Sequence, residues 1–491
     1  MTSLGHLLDR LRRFELRGDP RTTVAGIEHD SRRVVRGSLF VAIPGAHFDG
    51  HLFAPRAVAQ GAASLVVERW LPELPDHLPQ VRVERTRQAL PLLAAGFYRD
   101  PSHRLTLVGV TGTNGKTTIT YLLEAILRAA GQSCGVLGTV SYRYAGRQIA
   151  ADRTTPEAND LQRHLAQMVE AGCRFAVMEV ASHALAMDRV GGCRFAAAVF
   201  TNLTRDHLDF HADLEDYFAA KRRLFEMLPS GVPAILNADD PRCDALAAAT
   251  QGQVVRYGTG PRCAVQITAL ETDRSGLRLT LETPAGALDL ASPLLGRVHA
   301  FNIAAAAATA LALELPPEAI GAGIAAMAEV PGRCQPVESG QPFLVVVDFA
   351  HSDDSLRQLL TGLRALAGKR LLVVFGCGGD RDRGKRPRMG AAAAERADLI
   401  YLTSDNPRSE DPQDILDQVL AGVPAESRDR CVVEPDRRRA IALALQEAGP
   451  GDVVAIAGKG HETVQLVGER SIEFDDRVVA RELLEELGWR V

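Results

Sequence analysis

Lysine is scarce in this chain, although cationic residues are not. Lysine and arginine together number 56, but only five are lysines: Lys116, Lys221, Lys369, Lys385 and Lys459. Arginine carries a planar, permanently charged group, whereas the lysine amine is a compact point charge that can lose its proton and react. A strong arginine bias could leave a few lysines at random, so the surroundings of each must decide. A lysine inside a motif is a candidate for chemistry that a guanidinium cannot perform.

Other features are also missing, and each absence excludes a class of protein. The eight cysteines include no Cys-x-x-Cys pair, which argues against a zinc ribbon or a disulfide framework. The net charge is -5 and no block of Lys and Arg suggests a nucleic-acid surface. Residues 1–37 lack the apolar core of a signal peptide, and no later apolar run is long enough to span a membrane. We therefore expect a cytoplasmic, monomeric protein that binds neither nucleic acid nor membrane.

The chain is long enough for several domains, and its pattern changes along its length. A chain of 491 residues fits about two to four domains. From residue 105 onward, apolar runs of strand length alternate with helical stretches, which is typical of a parallel sheet covered by helices. The sequence therefore predicts an α/β protein with three domains, at residues 1–101, 102–332 and 333–491.

Individual elements of the two larger domains are also predicted. The predicted strands are residues 105–110, 175–180, 196–200, 234–236, 343–349, 370–375, 399–403 and 453–457. The predicted helices are residues 117–130, 216–228 and 302–313. Alternating apolar and polar residues across 264–292 indicate an antiparallel ribbon, and the turn at 330–333 is predicted as a hinge.

A glycine-rich loop between a predicted strand and a predicted helix contains the first lysine. Glycines let backbone N–H groups close around phosphates, and the following helix N-terminus adds partial positive charge. The lysine neutralises the phosphates, and the threonine after it offers its hydroxyl to Mg²⁺. Val110 replaces the first glycine of the usual spacing, but the strand-loop-helix context still predicts nucleotide binding. The predicted loop residues are Gly112, Thr113, Asn114, Gly115, Lys116, Thr117 and Thr118.

Lys221 lies in a predicted helix, downstream of an unusual polar run at 200–211. Taken alone it would be a solvated helix lysine, but arginine fills the next two positions. Upstream, Glu179 ends an apolar strand, which is where open α/β sheets place ligand-binding groups. Glu179, His207 and the Thr117 hydroxyl could therefore gather around Mg²⁺ beside the γ-phosphate, because hard cations take few ligands from protein and prefer oxygen.

Five motifs together resemble those of the Mur ligases. They are the loop 112–118, Glu-Val-Ala-Ser-His at 179–183, Phe-Thr-Asn-Leu-Thr-Arg-Asp-His-Leu-Asp at 200–209, Asp-Asn-Pro-Arg at 405–408 and Gly-Lys-Gly-His-Glu at 458–462. Similar segments at 30–32, 37–42 and 474–477 extend the resemblance over nearly the whole chain. Within the family, the pattern resembles the ligases that add diaminopimelate.

The resemblance implies a fold and a reaction. It implies a UDP-binding N-terminal α/β domain, a central P-loop ATPase-like domain with a parallel sheet, and a C-terminal Rossmann-like α/β domain. It implies use of ATP and Mg²⁺ to add meso-diaminopimelate to UDP-N-acetylmuramoyl-L-alanyl-D-glutamate through an acyl phosphate, in peptidoglycan precursor synthesis. Lys221 matches a lysine that becomes carbamylated, which requires a neutral amine. The implied catalytic residues are Lys116, Glu179, His207 and Lys221, and the implied metal ligands are Thr117, Glu179, His207 and carbamylated Lys221.

The same resemblance assigns residues to the three substrates. Further ATP-side positions are Asn302, Arg333, Asp348 and His351. The UDP-muramoyl-dipeptide positions are Ser31, Ala46, His47, Phe48, Thr154, Thr155, Ala181, Ser182, Met187 and Arg189. The diaminopimelate positions are Arg381, Asp405, Asn406, Pro407, Arg408, Gly458 and Glu462. An arginine can pair bidentately with the distal carboxylate, and Glu462 supplies the opposite charge that the distal ammonium needs.

Several positions depart from the family's pattern. Ala181 replaces a serine and Met187 a glutamine, which removes two polar side chains from the implied peptide site. His299 replaces the first asparagine of Asn-x-x-Asn, and Phe349 and Asp353 replace a tyrosine and a proline. The implied phosphate and metal residues are intact, so altered affinity is expected before lost activity.

Three alternatives stay open. The added amino acid could be L-lysine or L-ornithine, in which case Arg408 would face no carboxylate. A folylpolyglutamate-synthetase-like ligase would share the ATP loop and the carbamylated lysine, although the N-terminal domain and the tetrapeptide at 405–408 argue against it. A nucleotide-binding module without turnover would accommodate the substitutions at Ala181, Met187 and His299.

Overall fold

The computed structural model describes residues 2–45 and 48–490, and its strands form three main sheets. Each main sheet has parallel pairs at its centre, so the predicted α/β fold is confirmed. The thiols of all eight cysteines are free, in agreement with the lack of paired cysteine motifs. Across the described ranges, no helix combines the length and the apolar character needed to cross a membrane.

The N-terminal part of the chain builds a five-stranded sheet. The strands of this part of the chain are β1 (Thr2–Ser3), β2 (Glu15–Arg17), β3 (Thr23–Val24), β4 (Gly26–Glu28), β5 (Ser38–Val41), β6 (Ser64–Val67) and β7 (Gln80–Arg82). Its α-helices are α1 (Leu4–Leu8), α2 (Ala54–Ala59) and α3 (Thr86–Phe97), with 3₁₀ turns at Ser31–Arg33 and Gly50–Phe53. The order is β2-β7-β6-β5-β4, and β1 pairs with β3 separately. The central strands β5 and β6 are wholly buried, as expected for parallel strands covered on both faces.

The central part forms an eleven-stranded sheet. Its strands are β8 (Thr106–Thr111), β9 (Cys134–Leu137), β10 (Ser141–Tyr144), β11 (Arg147–Ala150), β12 (Phe175–Glu179), β13 (Ala197–Phe200), β14 (Pro233–Asn237), β15 (Gln253–Gly258), β16 (Val265–Asp273), β17 (Gly276–Thr283) and β18 (Gly286–Ser292). Its α-helices are α4 (Lys116–Ala129), α5 (Ala158–Glu170), α6 (Ser182–Ala186), α7 (Leu214–Glu226), α8 (Cys243–Ala249), α9 (Val298–Ala312) and α10 (Pro317–Ala326), preceded by a 3₁₀ turn at Pro101–His103.

The strand order of the central sheet determines where a site can form. The order is β11-β10-β9-β12-β8-β13-β14-β15-β16-β17-β18. The seven consecutive strands β9-β12-β8-β13-β14-β15-β16 pair in parallel. Three neighbours, β12, β8 and β13, therefore end at the same edge. Open α/β sheets bind ligands outside the carboxyl ends of such strands.

The C-terminal part forms a six-stranded sheet of order β19-β20-β24-β21-β22-β23 and a separate hairpin. Its strands are β19 (Gln335–Pro336), β20 (Leu344–Asp348), β21 (Leu371–Phe375), β22 (Leu399–Leu402), β23 (Cys431–Val433), β24 (Val453–Ala457), β25 (Val464–Val467) and β26 (Arg470–Glu473). Its helices are α11 (Asp353–Arg364), α12 (Lys385–Arg396), α13 (Pro412–Leu420), α14 (Arg437–Glu447) and α15 (Asp476–Glu486), with a 3₁₀ segment at Ala425–Arg430. The strands β20 to β24 all run in parallel, so their carboxyl ends form a second loop-rich edge.

The predicted elements are present, with shifted ends. The helix predicted at 302–313 begins at Val298, and the one predicted at 216–228 begins at Leu214 because the Asp213 side chain caps it by accepting from Asp216 N–H. The predicted ribbon is the meander β16-β17-β18, and it is not a separate sheet. Parallel pairing of Tyr257 with Val265 joins it to the central sheet.

Candidate active site

The phosphate loop follows β8 and opens α4, as predicted. Gly112 has a φ of 143° and Gly115 a φ of 91°, which side chains other than glycine rarely adopt. A Cβ on Gly112 would lie 1.7 Å from Thr201 Oγ1, and one on Gly115 would lie 2.4 Å from Asn302 Oδ1. The two glycines therefore admit both a left-handed backbone and close packing against the next strand and α9.

The loop after β13 holds the phosphate loop in place. Asn202 Oδ1 accepts from the N–H of Asn114 at 3.0 Å, and the Asn202 carbonyl accepts from the N–H of Thr113 at 2.9 Å. The Thr201 hydroxyl donates to the Asn114 carbonyl at 2.6 Å. The polar run at 200–209 thus supports the phosphate loop through its first residues and also contributes His207 to the site.

Two lysines converge on one carbonyl oxygen. Lys116 Nζ donates to the carbonyls of Gly112 at 2.9 Å and Thr113 at 2.8 Å, and Lys221 Nζ donates to the same Gly112 carbonyl at 2.8 Å. Lys221 also lies over the Tyr217 ring, with Nζ 4.2 Å from the ring centre. Burial lowers the pKa of both lysines, and the nearby Lys116 charge further lowers the pKa of Lys221. These surroundings favour the neutral amine that carbamylation requires.

Glu179 faces the first turn of α4. Its carboxylate accepts from the hydroxyl of Thr117 at 3.0 Å and from the N–H and hydroxyl of Thr139 at 2.8 and 2.9 Å. Arg333 reaches across and donates to the Thr117 hydroxyl at 3.2 Å. The C-terminal part of the chain therefore contributes a cation directly beside the phosphate loop.

The oxygen atoms at this place fit a hard cation. The Thr117 hydroxyl and the Glu179 carboxylate, hydrogen-bonded at 3.0 Å, are oxygen ligands of the kind that Mg²⁺ prefers. In residues 2–45 and 48–490, no three His, Cys, Asp or Glu side chains gather as a ready metal cluster. A Mg²⁺ here would therefore depend on the Thr117 hydroxyl, a substrate phosphate or a modified lysine as well as on Glu179.

Histidines surround the far side of this region. His207 Nε2 lies 3.5 Å from Asp206 Oδ2, and His351 Nε2 lies 3.7 Å from the same oxygen. The ring of His207 meets that of His183 edge-on at 4.8 Å. Burial lowers the pKa of His207 to about 3, so its imidazole is neutral near pH 7 and can act as a ligand or acceptor.

A cavity of about 840 Å³ collects most of the predicted ATP and peptide residues. Those lining it are Thr113, Asn114, Gly115, Lys116, Thr117, Thr118, Thr154, Thr155, Glu179, Ala181, Ser182, Met187, Arg189, His207, Lys221, Asn302, Arg333, Asp348 and His351. Gly112 is not among the lining residues, but its carbonyl accepts from Lys116 and Lys221, which are. Ser31 is buried in its own 3₁₀ turn and Phe48 is exposed, and neither lines this cavity. Ala46 and His47 lie outside the described residues.

The predicted peptide side of the cavity is held by backbone contacts where the family's polar side chains are replaced. The N–H of Ala181 donates to Thr155 Oγ1 at 3.0 Å, and Thr155 Oγ1 donates to the Glu179 carbonyl at 2.8 Å. Arg189 is buried and pairs with Glu157 at 2.8 Å, and its Nη2 also contacts Met187 Sδ at 3.4 Å. The two substitutions therefore leave the arginine fixed beside the cavity.

A second cavity of about 220 Å³ lies at the carboxyl edge of the C-terminal sheet. Six predicted diaminopimelate residues line it: Arg381, Asp405, Asn406, Arg408, Gly458 and Glu462. Pro407 is not among its lining residues, although its neighbours on both sides are. The cavity thus contains both carboxylates and guanidinium groups, which suits a ligand with charges of both signs.

Arg408 is held in an unusual backbone conformation by the hairpin β25-β26. Its φ is 52°, its N–H donates to the Leu466 carbonyl at 3.0 Å, and its carbonyl accepts from Gly468 N–H at 2.7 Å. Its Nη1 donates to the Gly379 carbonyl at 2.7 Å. Burial and the nearby Arg381 lower the pKa of Arg408. Two guanidinium groups that line the same cavity attract a carboxylate.

The departures at positions 349 and 353 are accommodated locally. The Arg333 guanidinium lies 4.4 Å from the centre of the Phe349 ring, a cation–π contact that does not need the tyrosine hydroxyl. Asp353 opens α11 after Ser352, which forms a capping box with Ser355. An acidic residue in the first turn is stabilised by the helix dipole.

His299 is buried beside Asn302 and Arg333. Its Nδ1 lies 3.4 Å from Asn302 Nδ2, while its Nε2 is buried without a partner in the described part of the chain. Burial, and then the Arg333 charge, lower the pKa of His299 to about 4. Since Nδ1 faces a donor, the proton of the neutral ring belongs on Nε2.

Replacing His299 with asparagine is expected to flatten the dependence of the unfolding free energy on pH. Above pH 6.5 the ring is neutral in both the folded and the unfolded chain. As the pH falls from 6.5 toward 4, His299 binds a proton in the unfolded chain but not in the folded protein. The unfolding free energy then falls by up to about 1.4 kcal/mol per pH unit. His299→Asn removes that contribution, which urea denaturation across this pH range measures.

The exposed His77 provides the matched control for this experiment. His77→Asn should keep the slope of the parent protein, because it changes an exposed side chain and leaves the buried surroundings of His299 intact. A His299→Asn protein whose slope equals that of the parent would contradict the neutral, buried state of His299.

Other contributors to the site were not predicted. Thr139 contacts Glu179, but it follows β9 in a segment with no motif, so no sequence signal marks it. Tyr217 lies one helical turn before Lys221, and the i,i+4 spacing on α7 could have indicated it. Lys459 was marked by its motif at 458–462 but was given no role, and the structure shows it wholly buried beneath the smaller cavity's residues.

Comparisons with known proteins agree with this arrangement. Family models described as "Mur ligase family, catalytic domain", "Mur ligase middle domain" and "Mur ligase, glutamate ligase domain" match residues 23–98, 110–310 and 332–460. A protein of Solibacter usitatus named UDP-N-acetylmuramoyl-L-alanyl-D-glutamate--2,6-diaminopimelate ligase is 47% identical over 471 residues, covering 95% of each chain. One of the same name from Gloeobacter violaceus is 48% identical and covers 96% of each. A solved structure with that name superposes with a TM-score of 0.71 at 33% identity and covers 99% of both chains.

Proposed function

Because this chain belongs to the Mur ligase family, we propose that it is the ATP-dependent ligase that adds meso-2,6-diaminopimelate to UDP-N-acetylmuramoyl-L-alanyl-D-glutamate. The reaction is a step of peptidoglycan precursor synthesis. One observation on this chain's own cavities supports the proposal in addition to family membership. The larger cavity, with the phosphate loop, and the smaller one, with its paired charges, share Asp206, His207, Phe349, His351 and Arg381 as lining residues. An activated carboxyl group formed in the first cavity could therefore meet an amine held in the second.

The larger cavity supplies the activation step. The N–H groups of the phosphate loop and Lys116 bind the ATP phosphates, and Arg333 adds positive charge at the Thr117 end. The side-chain carboxylate of D-glutamate attacks the γ-phosphorus, which gives an acyl phosphate and ADP. Arg189 and the backbone around Thr155 orient the peptide. Catalysis rests on positioning and charge stabilisation.

The amide bond forms in the second step. The amine of diaminopimelate attacks the acyl carbon, the tetrahedral intermediate expels inorganic phosphate, and the amine loses a proton. Arg408 and Arg381 bind the distal carboxylate, and Glu462 and Asp405 bind the distal ammonium group, while the other amine attacks unprotonated. Lysine and ornithine lack that carboxylate, so they would leave the two guanidinium groups without a counter-ion.

A bound Mg²⁺ would offset the negative charge of the transferring phosphoryl group. Thr117, Glu179 and His207 would hold it together with a carbamate on Lys221, whose neutral amine suits reaction with CO₂. We also propose that the chain acts as a monomer of three domains, at residues 1–101, 102–332 and 333–491. Size-exclusion chromatography with light scattering tests whether the protein is a monomer.

One assay separates the proposed function from its alternatives. The purified protein is incubated with ATP, Mg²⁺ and the UDP-muramoyl-dipeptide, and phosphate release is measured with meso-diaminopimelate, L-lysine or L-ornithine. We expect release with diaminopimelate alone. Release with lysine or ornithine only would reassign the amino acid. Release with a folate and glutamate in place of the muramoyl substrate would favour a folylpolyglutamate-like ligase, and release under no condition would favour a nucleotide-binding module.

A further inference from the structure

Lys459 is a buried ammonium group beneath the smaller cavity. Its side chain is fully inaccessible to solvent. Its Nζ donates to Asn406 Oδ1 at 3.2 Å, to Glu462 Oε2 at 3.1 Å and to the Val464 carbonyl at 2.6 Å. A lysine ammonium has three donors, and these three acceptors use all of them. The group is therefore satisfied in place and joins Asn406 to the segment that contains Glu462 and Val464.

These contacts determine how Asn406 is oriented. Its Oδ1 accepts from Lys459 and also from the N–H of Leu466 at 3.0 Å, so this atom must be the amide oxygen. Its Nδ2 then donates to Glu462 Oε2 at 2.8 Å. A flipped amide would direct its N–H groups at a cation and at a backbone donor. The lysine therefore fixes the side chain of one predicted substrate residue without touching the substrate.

The same contacts fix Glu462. Asn406 and Lys459 both donate to its Oε2. The other oxygen, Oε1, stays available to a ligand in the cavity that Glu462 lines. The ammonium of Lys459 also offsets part of the negative charge of Glu462 and Asp405. The remaining negative charge is what attracts the ammonium group of a ligand in the cavity.

We propose that Lys459 is a positioning residue that sets the selection of the amino-acid substrate by orienting Asn406 and Glu462. The inference rests on the proposed function, because that function makes the smaller cavity the amino-acid site. It also explains why this position is a lysine in a chain that otherwise prefers arginine. A planar guanidinium cannot direct its donors at three acceptors around one point.

The test uses Lys459→Met in the full-length protein, with Lys369→Met as the matched control. Lys369 is exposed and lies outside both cavities. We expect Lys459→Met to raise the KM for diaminopimelate about tenfold or more, since loosely held groups lose productive geometry. The KM values for ATP and the UDP-muramoyl-dipeptide should stay within about twofold, which a general loss of structure would not produce. An unchanged KM for diaminopimelate would overturn the inference.

A double-mutant cycle shows whether Lys459 acts through Asn406. Lys459→Met in an Asn406→Ala background should raise the KM for diaminopimelate less than it does in the parent, because only the contact with Glu462 is then left to lose. Effects that multiply fully would overturn the inference. If Lys459→Met does not fold, Lys459→Gln keeps a hydrogen-bonding group at the site. Its KM for diaminopimelate should fall between those of the parent and of Asn406→Ala, and a KM equal to the parent's would count against the proposal.

The parent protein keeps the two proposals separable. If it releases phosphate with L-lysine in place of diaminopimelate, the proposed amino acid is wrong, and the same KM comparison made with lysine still tests Lys459. If it uses diaminopimelate and Lys459→Met changes nothing, only the role of Lys459 is overturned.

Discussion

Replacing Lys221 with alanine is expected to lower kcat by at least about a thousandfold. The Lys221 amine lies 2.8 Å from the Gly112 carbonyl and beside Lys116, in the wall of the phosphate cavity. Neither Glu179 nor Asp206 is placed to replace it, because Glu179 is engaged by Thr117 and Thr139 and Asp206 lies against His207 and His351. Phosphate release with all three substrates, with Lys369→Ala as the matched surface control, measures the loss.

One further variant and two further measurements separate the effect of charge from that of a carbamate at this position. Lys221→Arg should be as inactive as Lys221→Ala, because a guanidinium keeps its proton and cannot capture CO₂. If the carbamate is the active form, short carboxylates such as acetate should restore part of the activity of Lys221→Ala. Carbon NMR with isotopically labelled bicarbonate should show a carbamate signal in the parent protein and none in Lys221→Ala. Full activity in Lys221→Ala would exclude an essential role.

The parts of the site that come from one continuous segment are predictable from the sequence. The phosphate loop needs only a strand, a glycine pair and a helix N-terminus in order, and the structure has Thr106–Thr111, the loop and Lys116–Ala129 in that order. Glu179 could be placed because parallel strands share a carboxyl edge. Contacts between segments far apart in the chain could not be predicted from the sequence. No local pattern indicates that Thr139 donates to Glu179 or that Arg333 reaches Thr117.

The fold shows the same limit. Residues 264–292 alternate in hydrophobicity, which predicts an antiparallel ribbon. The structure has three antiparallel strands there. Their attachment to the central sheet rests on the short pairing of Tyr257 and Gly258 with Val265 and Gln266, which periodicity cannot indicate. The motif at 458–462 likewise marked Lys459 without revealing that its side chain turns inward to Asn406.

Replacing Arg408 with alanine is expected to raise the KM for diaminopimelate about a hundredfold, while activity with L-lysine stays the same or increases. Loss of a charge-assisted contact to a partly buried carboxylate costs about 2–4 kcal/mol, which is roughly 30- to 1000-fold. Arg408 is half-buried, is fixed by the hairpin through Leu466 and Gly468, and lies near Arg381. L-Lysine as a substrate has no distal carboxylate, so removing Arg408 removes no contact that binds it.

The matched control is Arg388→Ala, which removes an exposed arginine of Lys385–Arg396 that lines neither cavity. Arg408→Lys keeps the charge but not the fork, so its KM should lie between those of the parent and of Arg408→Ala. Kinetics for all four proteins give the ratio of kcat/KM with diaminopimelate to kcat/KM with L-lysine. A ratio of kcat/KM values that does not move toward lysine in Arg408→Ala would mean that another group recognises the distal carboxylate. Because Arg381 is the second guanidinium in the cavity, the double variant Arg408→Ala, Arg381→Ala should then complete the loss.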